Sequence, residues 1–220
     1  ADTLSSGLTK LEAGSDQLAA GTNKLKTDLE AGKTKATESY NTAYGSFYKV
    51  AIAAACIEQK INPSSATPQQ QAAIAADLAQ AGILQTPDVT SKTQYALATG
   101  YILKKYTYVH QVVAATVSAA AGGQLDEATV SAKADEQIVT MTSGLSQAYQ
   151  AYSNCNETLT ALETAGYFDG MSNLNTGIKS ANTGATQLKA GIDQLSAGAG
   201  QLSAGSKQLK AGLGTLSTGL

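Results

Sequence analysis

Glycine returns every seventh residue at both ends of this 220-residue chain, nearly always three places after a leucine. From Tyr167 the heptads read YFDGMSN, LNTGIKS, ANTGATQ, LKAGIDQ, LSAGAGQ, LSAGSKQ, LKAGLGT and LSTGL, with glycine at 170, 177, 184, 191, 198, 205, 212 and 219. Near the N-terminus LSSGLTK, LEAGSDQ and LAAGTNK share one phase, setting Leu4, Leu11 and Leu18 three residues ahead of Gly7, Gly14 and Gly21. A seven-residue apolar period belongs to packed helices, where residues three and four apart share a face. Glycine resists that conformation and costs about 0.5–1 kcal/mol against alanine at each interior position. The conflict resolves if the glycines mark places where a second helix comes close. A Gly-rich β-solenoid is the structural rival, and the repeats hold too few β-branched or aromatic residues for it.

In an antiparallel helix pair each seam layer joins a first-position residue of one helix to a fourth-position residue of the other. Leucine then nests over glycine in every layer. The expected seam is Leu4, Gly7, Leu11, Gly14, Leu18 and Gly21 against Leu188, Gly191, Leu195, Gly198, Leu202 and Gly205, with Leu4 opposite Gly205, Leu11 opposite Gly198 and Leu18 opposite Gly191. The predicted fold is all-α: an elongated antiparallel coiled-coil hairpin stalk of Leu/Gly heptads, topped by a small helical-bundle head. Residues 1–38 form the ascending stalk helix, 39–166 the head and 167–220 the descending helix. A stalk of some 35 to 50 residues would reach roughly 50–75 Å.

Between the repeats the pattern stays helical. The first helix continues through Phe47, Val50, Ala54, Ile57 and Ile61 until NPSSATP stops it. Thr67-Pro68-Gln69-Gln70 opens a short helix with a capping box, and Gly82 closes it. Ser91-Lys92-Thr93-Gln94 offers a second capping box, opening one helix that runs to Gly122-Gly123. The last long helix starts near Asp126 and carries the stripe Ile138, Met141, Leu145, Ala148, Tyr152, Cys155, Leu159 and Leu162. AGYFDG (165–170) resets its phase before the glycine heptads.

Two cysteines without metal-ligand spacing are either free buried thiols or one structural disulfide, and a disulfide implies an oxidising compartment. The stalk register, carried upward, sets residue 56 opposite residue 153 or so, and a Cys56–Cys155 disulfide is the expectation. The 15 basic residues are all lysine. That argues against nucleic acid as a partner, since phosphate recognition usually recruits arginine's bidentate fork. No catalytic, cofactor-binding or metal-ligating residue emerges, and the chain reads as no enzyme. His110 stands alone in sequence and reads as packing or surface. Asp126-Glu127 and Asp135-Glu136 are neighbours that diverge on a helix and favour its N-terminus through the dipole. Tyr101, Tyr106 and Tyr108 cannot all face one core, so with the turn Gly122, Gly123 and Gln124 they are the candidate partner contacts; packing with wet hydroxyls is the alternative. No apolar run reaches the roughly 18 residues of a membrane span. The first residue is not Met, and the expectation is a segment of a longer chain.

The L-x-x-G-x-x-x run, as in LKAGIDQ, LSAGAGQ and LSAGSKQ, resembles the heptad repeat of the YhgE/Pip (phage infection protein) family over Leu4–Leu29 and Leu174–Leu220, with departures at Asp28, Gly32 and Ala181. The head carries no resemblance. The likeness implies the extracellular region of a Gram-positive membrane protein, with flanking membrane spans outside this segment and a role in surface recognition such as phage adsorption. It implies a protein partner at the head, a phage tail protein among them, at the cell surface. Similar repeats occur in type VII secretion accessory proteins and in extracellular parts of some exporters. The alternative is therefore an extracellular coupling or dimerisation module of a transport or secretion-like membrane complex, and a homodimer is compatible with either.

Overall fold

The computed structural model describes residues 2–218, apart from the side chains of Asp2, Leu4, Ser5 and Thr218. Among the described residues there are six α-helices, one 3-10 turn (Pro63–Ser65) and no strand. The helices are α1 (Asp2–Glu58), α2 (Pro68–Gln80), α3 (Lys92–Lys104), α4 (Tyr106–Ala120), α5 (Glu127–Thr164) and α6 (Tyr167–Thr218). The all-helical expectation holds. The chain divides into two compact units, Ala1–Lys26 with Leu162–Leu220, and Thr27–Ala161. The corresponding boundaries expected from the sequence fall at 38/39 and 166/167.

The helix ends follow local chemistry. Lys60, in the left-handed region at φ 60°, turns the chain after α1, and Ile61 N donates back to Cys56 O at 2.8 Å. Asn62 then accepts from Ser64 N at 3.0 Å. Thr67 caps α2 in a complete capping box: Gln70 N donates to Thr67 Oγ1, and Thr67 N donates to Gln70 Oε1. Gly82 follows at φ +80°, a left-handed backbone that favours glycine, and a Cβ there would stand 2.4 Å from Leu97 Cδ1 and push that side chain aside. Asp126 caps α5 by accepting from Thr129 N at 2.7 Å. That bond, and one from the Thr129 hydroxyl, hold its carboxyl below the usual range.

Two expectations about these helices need correction. The single helix expected from Ser91 to Gly122 is broken at Lys105, which leaves helical geometry at φ −109° and ψ 24° and separates α3 from α4. No glycine or proline marks that site. The second capping box is half formed. Ser91 Oγ accepts from Gln94 N, but the Gln94 side chain turns inward, where Asp88 N donates to its Oε1 at 2.7 Å and its Nε2 donates to Thr86 O at 2.9 Å. A buried amide satisfied by loop backbone outweighs one more capping bond at an exposed helix end.

In the unit Thr27–Ala161, tyrosine does the work that Trp and Phe do elsewhere. Tyr40, Tyr44 and Phe47 of α1 are fully buried, surrounded by Ile74 and Leu78 of α2, Ala98 and Ile102 of α3, Val109, Val113 and Val117 of α4, and Ile138, Leu145 and Ala148 of α5. Tyr40 and Tyr44 stack at 5.6 Å, Phe47 meets Tyr101 edge-on at 6.1 Å, and Tyr95 stacks on Tyr149 at 4.7 Å. Their hydroxyls are mostly satisfied: Tyr101 Oη donates to Ala51 O at 3.2 Å, and Tyr95 Oη to Ser146 Oγ at 3.1 Å. Each residue of the α5 stripe within this unit is buried or half-buried, as its spacing predicts.

In the other unit α1 and α6 run antiparallel. Successive contacts join Glu12 to Asn182, Asp16 to Lys179 and Lys26 to Glu163.

Candidate functional site

The face on which α1 and α6 meet is not the Leu/Gly stripe. On α1 the covered residues are Leu8, Glu12, Ser15, Ala19, Thr22 and Lys26, and on α6 they are Met171, Asn175, Ile178, Asn182, Ala185 and Lys189. Both sets alternate four and three, and both lie one residue after the expected seam. The contact mixes apolar side chains with polar ones that bond across it. Ser15 Oγ donates to Asn175 Oδ1 at 2.6 Å, Asn175 Nδ2 to Asp16 Oδ1 at 3.1 Å, and Lys179 Nζ stands 2.8 Å from Asp16 Oδ1. Asn182 bonds Glu12, and Lys26 lies 5.4 Å over the Phe168 ring. The bond from Lys179, then that from Asn175, lowers the Asp16 carboxyl, while Asp16 raises the Lys179 amine.

This corrects the predicted register. Leu11 is expected opposite Gly198 and Leu18 opposite Gly191, yet Asp16 meets Lys179, Glu12 meets Asn182, Ser15 meets Asn175 and Lys26 meets Glu163, a displacement of between two and three heptads. The cause is specificity. Leu/Gly layers repeat almost identically every seven residues and fit in any heptad register, whereas the polar side chains Glu12, Ser15, Asp16, Asn175, Lys179 and Asn182 find hydrogen-bond and ion-pair partners in the observed one.

The expected seam residues are consequently open. Leu11, Leu18 and Leu188 are 52%, 47% and 58% exposed, and Leu195 and Leu202 reach 74% and 76%. A Cβ added at Gly7, Gly14, Gly21, Gly191, Gly198 or Gly205 would meet nothing within 4 Å. The Leu4 side chain lies outside the described residues. From Ala190 to Ser217 every side chain of α6 is exposed.

The Cys56–Cys155 disulfide is likewise corrected: both thiols are free. Cys155 packs on Gly32, where a Cβ would come 2.8 Å from its Sγ. Residue 32 lies 24 positions along α1 from Cys56, about 36 Å at the helical rise. Cys56 is buried, which pushes its thiol up.

Of the candidate partner contacts, Tyr101 is a packing residue, tied to Ala51 and to the Phe47 ring. Tyr108 is half-buried against the core. Tyr106 is exposed and its hydroxyl donates to Asp135. Gly122 (φ +62°) and Gly123 (φ +71°) form the turn between α4 and α5, where Gly123 N donates to Ser118 O at 2.9 Å, and Gln124 beside them is exposed.

His110 does have partners. Its Nε2 stands 3.3 Å from Asp135 Oδ1 and 3.2 Å from Ser131 Oγ, with the Tyr106 ring 5.9 Å away. Tyr106/His110 and Ser131/Asp135 are four-residue pairs on α4 and α5, a signal that becomes readable only once those helices are known to face each other. A hydrolytic relay needs hydroxyl and carboxylate on opposite ring nitrogens. Here both crowd one nitrogen, so the cluster cross-ties two helices. An open groove of ≈ 600 Å³ between α1, α4 and α5 is lined by Ala43, Val50, Val113, Lys133 and Met141 among others. Among the described residues no helix is long and apolar enough to cross a membrane. No protein-family model, no curated protein and no solved structure matches the chain.

Proposed function

We propose that this chain is the extracellular region of a Gram-positive membrane protein of YhgE/Pip type, acting by binding and spacing at the cell surface in recognition such as phage adsorption. In this reading the paired Leu/Gly segments are an antiparallel coiled-coil hairpin stalk, and residues 27–161 are the head that carries the partner contact. The observation that carries it is the antiparallel meeting of the two repeat segments, Glu12 with Asn182 and Lys26 with Glu163. Such a pair brings the two flanking directions of the chain to one end, as a loop between two membrane spans requires. The doubled contacts on His110 Nε2 fit a tie between helices and favour a non-catalytic role.

The test is direct. Antibody against the chain should label intact cells, and excess soluble chain should slow phage adsorption to them. Labelling that appears only after the cells are opened would sink the surface assignment, and unchanged adsorption would remove the recognition role. The second reading is a coupling module of a transport or type VII secretion-like complex. The open Leu/Gly stripe favours it, and co-purification with permease subunits would distinguish it.

A further inference from the structure

The Leu/Gly stripe has no partner within the described part of the chain, and its geometry says what would cover it. On each helix it lies one residue before the buried stripe, a turn of about 100° about the axis. Because α1 and α6 run in opposite directions, equal turns bring both Leu/Gly stripes to the same side of the pair. That side carries Leu11, Leu18, Leu25, Leu174 and Leu188, each between 39% and 58% exposed. None of its glycines has an atom within 4 Å of an added Cβ.

The alternation also selects the partner's direction. A parallel partner sets leucine on leucine and glycine on glycine, layers of unequal thickness that straight helices cannot follow. An antiparallel partner with the same repeat gives leucine on glycine throughout. We propose that this face is covered by the same face of a second copy of the chain, α1 of each packing against α6 of the other about a two-fold axis parallel to the helices.

Such an axis preserves height, so α1 must meet the second copy's α6 at the level where it meets its own. Leucine-on-glycine matches recur only at heptad intervals of register. Two bracket the observed contacts: one, nearer Ser15–Asn175 and Lys26–Glu163, sets Leu18 on Gly170, Leu11 on Gly177 and Gly14 on Leu174, and the other, at Asp16–Lys179 and Glu12–Asn182, sets Leu18 on Gly177, Leu11 on Gly184 and Gly21 on Leu174. Gly14 on Ala181 is the thin layer of the second. At its rim Lys10, Gln17 and Lys24 come opposite Gln187, Ser180 and Asn173, and no like charges meet. Two helices side by side over about 20 residues present roughly 30 by 20 Å, or on the order of 1,200 Å² from both copies, the area a specific interface needs. The inference stands independently of the surface reading.

Sedimentation equilibrium of the 220-residue chain tests it. The wild type should be a dimer. Leu18→Lys and Gly177→Asp each alter an open position, so helicity by circular dichroism should hold, while each raises the dimer dissociation constant at least ~30-fold, the scale of a hot-spot loss. Leu18→Lys mixed in equal amounts with Gly177→Asp, or with Gly170→Asp, should recover the dimer in whichever of the two matches the second copy adopts, because the lysine then meets the aspartate of the other chain. A wild-type chain that stays monomeric, whether bare or bound to vesicles or another protein, overturns the proposal. So does a dimer indifferent to either change, or the failure of both mixtures to recover.

Discussion

Glycine in this chain means different things at different positions. The heptad glycines face open space, whereas Gly32, which departs from the repeat, accommodates the Cys155 sulfur. Periodicity is legible in the sequence, but what each glycine accommodates is not, because that depends on a register set by a few polar side chains. Gln94 teaches the same lesson: the spacing marks a cap, yet the loop beneath it claims the amide. The tyrosine hydroxyls give a measurable contrast. Tyr44 Oη is buried beside the Leu84 backbone without a hydrogen bond of ordinary geometry, whereas Tyr101 Oη donates to Ala51 O. Tyr44→Phe should therefore leave stability unchanged or raise it by up to about 1 kcal/mol, and Tyr101→Phe should lower it by about 1 kcal/mol. Denaturant midpoints of the two variants check this, and equal losses would refute it.

Helix existence is well encoded in the sequence. The α2 caps, the turn at Gly122-Gly123 and the α5 stripe all stand where spacing and capping chemistry predict. The break at Lys105 is hidden, since nothing in its own residues forbids helix there. Helix α6 holds a sharper contrast along its length. To Lys189 it has α1 beside it; beyond that it is glycine-rich and exposed. Helices with little tertiary support are marginal even with good helix formers. Amide hydrogen exchange on the monomeric variant Leu18→Lys should show protection over residues 171–189 and near-complete loss from about residue 192 onward. Uniform protection along α6 would contradict this.

Across the whole molecule, fold class is readable from the sequence because a chain with ten tyrosines, two phenylalanines and no tryptophan has few alternatives to thin helices and a tyrosine core. The site is less readable, because repeated heptads state that helices pair without stating which face or which copy. The tyrosine core sets the alkaline limit. Burial pushes Tyr44 and Tyr101 up to about 12 from the ordinary value of 10.0. Their contribution is fully present below pH 10, where both states keep the proton, and is lost as pH rises toward 12, where the unfolded chain alone ionises readily. Thermal midpoints should accordingly fall between pH 10 and 12, and a flat profile there would count against the buried phenols. The near-identity of successive heptads in α6 carries a last consequence. Insertion or loss of seven residues beyond Lys189 keeps the leucines and glycines on one face, leaves the polar contacts with α1 in place and changes the length of α6 by about 10 Å, so selection can lengthen or shorten this helix in fixed quanta without redrawing its surface.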